Sequence, residues 1–98
     1  MSDAVLDNVI HAPNRLQICA LLMPLEEAEF RVLREELGVS DSVLSKHISK
    51  LQDAGYLTIR KSLLNSRQRT WAKLTPLGRE KLTSHLAALE QLMASARG

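Results

Sequence analysis

The feature that most constrains this 98-residue chain is a short punctuation, Leu37-Gly38-Val39-Ser40, set between two stretches of helical periodicity. Before it, Val32, Leu33 and Leu37 recur at helical spacing, and Gly38 suits a left-handed cap that stops the helix. After it, Ser40 is a natural N-cap, and residues 41–54 group Leu44, Ile48 and Leu51 on one narrow face, flanked by Val43, His47 and Ala54. Two helices joined by so tight a turn, with Val39 as its buried residue, have helix-turn-helix spacing.

The flanking pattern extends this unit in both directions. Upstream, Val5, Leu6, Val9 and Ile10 follow Ser2 and Asp3, which suit the capped start of a short first helix. Pro13 opens a second, largely buried helix through Leu16, Cys19, Ala20 and Met23, widened by Ile18, Leu21 and Leu22, as far as Pro24. Residues 26–30 are ambiguous, a strand fragment being one reading. Downstream, Gly55 ends the fourth helix, and Leu57 and Ile59 alternate with Thr58 and Arg60. A tip, Asn65-Ser66-Arg67-Gln68, separates them from a second alternating run over residues 69–74, so residues 57–74 read as a hairpin with a basic end. Thr75-Pro76 then pairs an N-cap with proline at the first helical position and opens a last helix to about residue 95. The order helix, helix, helix-turn-helix, hairpin, helix predicts a mainly α fold with a small β-hairpin (α+β), a single winged helix-turn-helix domain over residues 1–98.

Composition matters chiefly through where the charges fall. The formal net charge is only +2, yet residues 1–41 sum to −5, residues 42–79 to +7 and the remainder to zero. A +7 stretch of this length suits a polyanion, so double-stranded DNA is the leading partner; a merely solvated basic face is the plainer alternative. Within that stretch, Ser42, Ser45, Lys46, Ser49 and Lys50 share the outer face of the fourth helix. Small hydroxyls there permit close approach to a major groove, and the lysines, four apart, reach bases or phosphates. On the hairpin, Arg60, Lys61, Asn65, Arg67 and Arg69 are candidate contacts, with residues 62–69 as wing on the minor groove or backbone; an arginine at a mobile tip suits a narrow minor groove. The alternative there is an edge hairpin kept soluble by charge.

In the last helix, Leu82, Leu86, Leu89 and Met93 recur at spacings of four, three and four, a heptad-like seam. With Val5, Leu6 and Val9 from the first helix they predict a two-fold homodimer, residues 76–95 being the dimerisation helix. A seam turned wholly inward is the alternative. Trp71 suits the outer face of the hairpin or packing, Tyr56 packs over a helix end, and His47 either packs or reaches a phosphate. The lone Cys19 on an apolar face is a packed thiol, and with three scattered histidines it offers no zinc motif, so neither metal nor cofactor is expected. No nucleophile and base pair or phosphate-cradling loop is present, which argues against an enzyme. No apolar run reaches the ~20 residues of a membrane span, and the acidic start lacks a signal peptide's basic flank.

Three runs carry a resemblance. Leu37-Gly38-Val39-Ser40, the helix from Leu44 through Lys46, His47 and Lys50 to Leu51 with Ala54-Gly55-Tyr56-Leu57, and Leu74-Thr75-Pro76-Leu77-Gly78-Arg79 together resemble the winged helix transcriptional regulators related to the MarR family. The likeness spans residues 12–80 and is closest to short single-domain members. It implies a prokaryotic, dimeric, sequence-specific DNA-binding repressor or activator, cytoplasmic and nucleoid-associated, with residues 41–54 in the major groove. The similar ArsR metal sensors carry paired cysteines before or within the reading head, and this chain has none. A winged helix used only as a protein-interaction module is the alternative function.

Overall fold

The computed structural model describes residues 5–98, so Ser2 and Asp3, the expected first cap, lie outside the described residues. Among those residues the first helix is shorter than expected. It is α1 (Asn8–His11), because the carboxylate of Asp7, in an extended backbone, accepts from the amides of Val9 at 2.8 Å and Ile10 at 3.1 Å and takes the cap itself. Ala12 is held extended by the proline that follows, and α2 (Pro13–Leu22) starts at once. The ambiguous stretch forms a two-residue strand, β1 (Ala28–Glu29), leading into α3 (Phe30–Leu37). Gly38 closes α3 at φ 66°, a left-handed conformation that glycine adopts without a Cβ penalty. After it, Ser40 caps α4 (Asp41–Asp53) by accepting from the Val43 amide at 3.2 Å.

Strands β2 (Leu57–Leu64) and β3 (Arg67–Leu74) pair antiparallel from Leu57 opposite Leu74 to Leu64 opposite Arg67. The connection is therefore two residues, not the four-residue tip expected: Asn65 and Ser66 turn the chain at φ 54° and 65°, as a type I′ hairpin turn requires. Arg67 and Gln68 belong to the strand. On the far side of β3, β1 adds through Ala28 opposite Ala72 and Glu29 opposite Trp71, giving the sheet order β1-β3-β2.

The last helix, α5 (Pro76–Arg97), is capped by Thr75, whose hydroxyl accepts from the Gly78 amide at 2.9 Å and donates to the Gly55 carbonyl at 2.7 Å. Two residues of the Leu-Thr-Pro-Leu-Gly-Arg run explain themselves here. A Cβ on Gly78 would stand 2.2 Å from the Tyr56 carbonyl oxygen, so only glycine lets α5 pack this closely. Arg79 donates to the carbonyls of Met23 at 2.6 Å and Leu25 at 2.9 Å, fastening α5 to the end of α2.

Ile10, Ile18, Leu22, Leu33, Leu44, Leu51, Leu57, Leu74 and Leu82 are fully buried in one cluster that draws on every helix and on the hairpin. Each such side chain contributes about 1.5–3 kcal/mol relative to exposure. This corrects the dimer seam: Leu82 has no exposed surface to offer a partner, and Val9 is half-buried against the chain's own core. Cys19 is also in the core, where burial and then the nearby Asp7 carboxylate push its thiol up to about 12, leaving an unreactive packed group. Leu86, Leu92 and Met93 remain exposed along the later turns of α5, with Leu89 half-buried among them and Val5 exposed near the chain start.

A buried polar node ties α5 to the cap of α1 and to the residue just past the end of α4. His85 is fully buried, and its Nδ1 accepts from the Asp7 amide at 2.9 Å. That fixes the neutral tautomer with hydrogen on Nε2, which lies 3.4 Å from Nδ1 of His11. The Asp7 carboxylate in turn accepts from the Tyr56 hydroxyl at 2.5 Å, just past the end of α4. Burial pushes the Tyr56 hydroxyl up to about 12, and the Asp7 bond adds to it. Burial alone would raise Asp7, but Tyr56 and the amides of Ile10 and Val9 outweigh it and hold the carboxyl below its ordinary value.

Candidate nucleic-acid interface

Helix α4 turns Leu44, Ile48 and Leu51 into the core, and the 3.6-residue period then forces the residues between them outward. Ser42, Ser45, Lys46, Ser49 and Lys50 are all exposed, and among the described residues neither lysine forms an ion pair. The start of α4 is steadied from α3 by Arg34, whose Nη1 donates to Asp41 at 2.7 Å. His47 is half-buried and its nitrogens are occupied: Nδ1 lies 3.3 Å from Arg15 Nη1 and Nε2 3.3 Å from the Asn14 side-chain amide. Arginine has only donors, so Nδ1 is an acceptor and the ring is neutral. Burial first, then Arg15 and Lys46, lower its pKa. His47 therefore packs; it is not free to meet a phosphate.

On the hairpin the predicted cations divide. Lys61 and Arg67 are exposed and form no ion pair among the described residues. Arg60 is engaged three ways: its Nη2 reaches Glu27 at 2.5 Å, its Nε reaches the other Glu27 oxygen at 3.2 Å, and its guanidinium lies 5.3 Å from the centroid of the Trp71 ring. Arg69 pairs with Glu29 at 3.3 Å. Trp71, on the outer face with Arg60, donates through its indole nitrogen to Ser62 at 3.3 Å. Glu27 and Glu29 are thus the members of the site that sequence reasoning missed. Their only signal was two acids flanking Ala28 in a strand fragment, which says nothing about the strand they face.

Helix and hairpin border a groove of about 510 Å³, lined by Ser45 of α4, by Arg67, Gln68 and Arg69 of β3, and by Arg31 and Arg34 of α3. The acids that line it, Glu29 and Asp41, are neutralised by Arg69 and Arg34. Asn65 lies at the apex of the hairpin beyond the groove. The arrangement is a cationic concavity with hydroxyl donors, fitted to an extended polyanion. Among the described residues no three metal-ligating side chains converge, and no helix is long and apolar enough to cross a membrane.

Comparison with known proteins agrees with this geometry. An uncharacterised protein of Methanocaldococcus jannaschii is 36% identical over 78 residues, which cover 80% of this chain and 85% of that one. Among solved structures, a transcriptional regulator homologue from Pyrococcus horikoshii superposes with a TM-score of 0.85 at 26% identity, over 92% of this chain and 89% of its own. A possible transcriptional regulator for arsenical resistance is 30% identical with a TM-score of 0.68, over 93% and 97% of the two chains. Residues 14–93 match the sequence profile of a family of DNA-binding, non-enzymatic domains: the chain belongs to the winged helix DNA-binding domain family.

Proposed function

We propose that this chain is a dimeric, sequence-specific transcriptional regulator of the short MarR-like type, acting in the cytoplasm on the nucleoid. Its single winged helix domain lays α4 in the major groove through Ser42, Ser45, Lys46, Ser49 and Lys50, and sets the wing, residues 62–69, on the adjacent minor groove or backbone. The observation that carries this reading is the shared groove: Ser45, from the exposed face of α4, and Arg67 of the wing, which forms no ion pair among the described residues, border one concavity. Regulators with the same fold over nearly the whole chain support it further.

The dimer half of the reading rests on α5. Leu86, Leu92 and Met93, between 39% and 53% exposed, continue the apolar stripe of the buried Leu82 and His85 along a helix that extends past the core. With Leu89, Val5 and Leu6 they form an isologous two-fold surface. Selection of duplexes from a random pool by the purified protein tests both halves at once. The expected outcome is an inverted repeat with half-sites about one turn, ~34 Å, apart. Failure to enrich any duplex, with recovery of a protein partner instead, would favour an interaction module.

A further inference from the structure

The apex of the hairpin carries two leucines that the interface described above leaves unused. Leu63 is 75% exposed and Leu64 50%, and neither joins the core cluster. The turn beyond them is made by the positive φ of Asn65 and Ser66, so folding does not require apolar side chains there. Hairpin ends are normally blunted with polar or charged residues. Two adjacent leucines at such a place therefore have no packing role among the described residues of this chain.

Their surroundings say what would cover them. Every charged side chain from residue 54 to residue 79 is basic, and on the ladder Leu64 stands opposite Arg67 and Leu63 opposite Gln68. A second copy of this apex would be repelled by like charge. The walls of a DNA groove, apolar deoxyribose beneath a line of phosphates, match an apolar tip ringed by cations. Successive strand residues point to opposite faces, so the two leucines flank the ribbon, one on each side. A ribbon with side chains on both faces is about 10 Å thick, whereas the minor groove of B-form DNA is about 6 Å wide. Only a groove that opens can admit it.

We propose that Leu63 and Leu64 form an apolar wedge that enters the minor groove, one leucine against the sugars of each strand, opens the groove and bends the duplex toward the major groove. This rests on the DNA-binding reading and deepens it. Lys61 and Arg67 hold the flanking phosphates while the wedge selects base steps that deform cheaply. Flexible pyrimidine–purine steps are favoured beneath the wing, and stiff, narrow A-tracts are disfavoured. That preference is opposite to the one expected of an arginine seeking a narrow groove, so its sign is diagnostic.

The test uses duplexes enriched by the protein itself, with the wing-contacted positions located by hydroxyl-radical footprinting and remade either rich in TA steps or as an A-tract. Affinity and end-to-end energy transfer are measured for the intact protein and for the L63S/L64S double variant. The intact protein is expected to bind the TA form about tenfold more tightly and to bend it, while the double variant discriminates by less than about twofold and leaves the duplex straight. Equal affinity for the two forms, preference for the A-tract, or an unchanged bend in the double variant would overturn the wedge. So would self-association of the intact protein that disappears in the double variant. Thermal melting checks that the variant is folded, and the L63S single variant, expected to lose part of the bend, serves if it is not. A protein that enriches no duplex overturns the DNA-binding reading; one that binds tightly without bending overturns only the wedge.

Discussion

Gly78 shows how much of this fold hangs on a single missing methyl group. Its α carbon is pressed against the Tyr56 carbonyl, which itself accepts from the Thr75 amide at 3.0 Å and cannot retreat without breaking that bond. Gly78→Ala is therefore expected to destabilise the protein by about 2–4 kcal/mol despite alanine's better helix propensity, read as a clear fall in Tm by circular dichroism. A Tm equal to that of the wild type would show that α5 can shift outward freely. His85 makes a second residue-scale prediction. Burial, and then the neighbouring His11, depress its pKa below 6.5, against a smaller opposing pull from Asp7. The folded state thus binds fewer protons than the unfolded state: the contribution of His85 is fully present above the unfolded pKa and is lost as pH falls through the folded one. Protonating Nδ1 also removes the acceptor of the Asp7 amide. Tm should therefore drop as pH falls from about 7 to 5, and the drop should be shallower in His85→Gln. Parallel pH profiles would remove His85 from the account.

At the scale of elements, the link between β1 and the hairpin restrains the wing. Arg60 and Arg69 are held by Glu27 and Glu29, so in the free protein two of the hairpin's cations are partly spent on the body. Arg60 and Glu27 are both substantially exposed, and such pairs are worth about 0–1 kcal/mol. Glu27→Gln should accordingly raise affinity for arbitrary duplex DNA by up to about fivefold at low salt while leaving the preference among sequences little changed. Unaltered nonspecific affinity would mean that Arg60 stays on Trp71 and never reaches DNA. Lys46→Ala should instead weaken binding and flatten sequence preference, since α4 carries the base contacts in the proposed mode. These two variants mark the boundary of what was legible in the sequence. The helix caps at Ser40 and Thr75, the stop at Gly38 and the inward face of α4 depend on residues within a few positions of one another, and all could be read directly. The union of Arg60 with Glu27, 33 positions apart, and of His85 with Asp7, 78 apart, depends on how elements stack. Local patterns carry no such information. The same blindness placed Leu82 in the dimer seam: heptad spacing identifies an apolar stripe on α5, but only the packed body decides which side of that stripe is already covered.

For the whole molecule the question is how many of the basic residues in the +7 segment remain available to DNA. Arg79 is consumed in fastening α5 to α2, and Arg60 and Arg69 are paired, which leaves Lys46, Lys50, Lys61, Arg67 and Lys73 without ion pairs among the described residues. If about four of these neutralise phosphates in each subunit, log affinity of the dimer should fall against log salt with a slope of roughly −7. The molecule is elongated, 56 Å along its longest axis, and in the proposed dimer two copies join through the exposed later turns of α5. Substituting Leu92, 53% exposed, with Lys places like charges across a two-fold axis and should give a folded monomer. That monomer keeps every DNA-facing cation of its own subunit, so its slope should be about half the dimer value, roughly −3 to −4, with a large loss of affinity at fixed salt. Sedimentation establishes the oligomeric state, and a fluorescence-anisotropy titration at several salt concentrations supplies the slope. A Leu92→Lys protein that sediments as a dimer would move the interface away from α5, and a monomer that kept the full slope would mean that one subunit makes all the phosphate contacts. The acidic sum of −5 over residues 1–41 belongs in the same balance. In the proposed mode it repels DNA from the rest of the surface, so that affinity would be concentrated on the concave face shared by α4 and the wing rather than spread over the molecule.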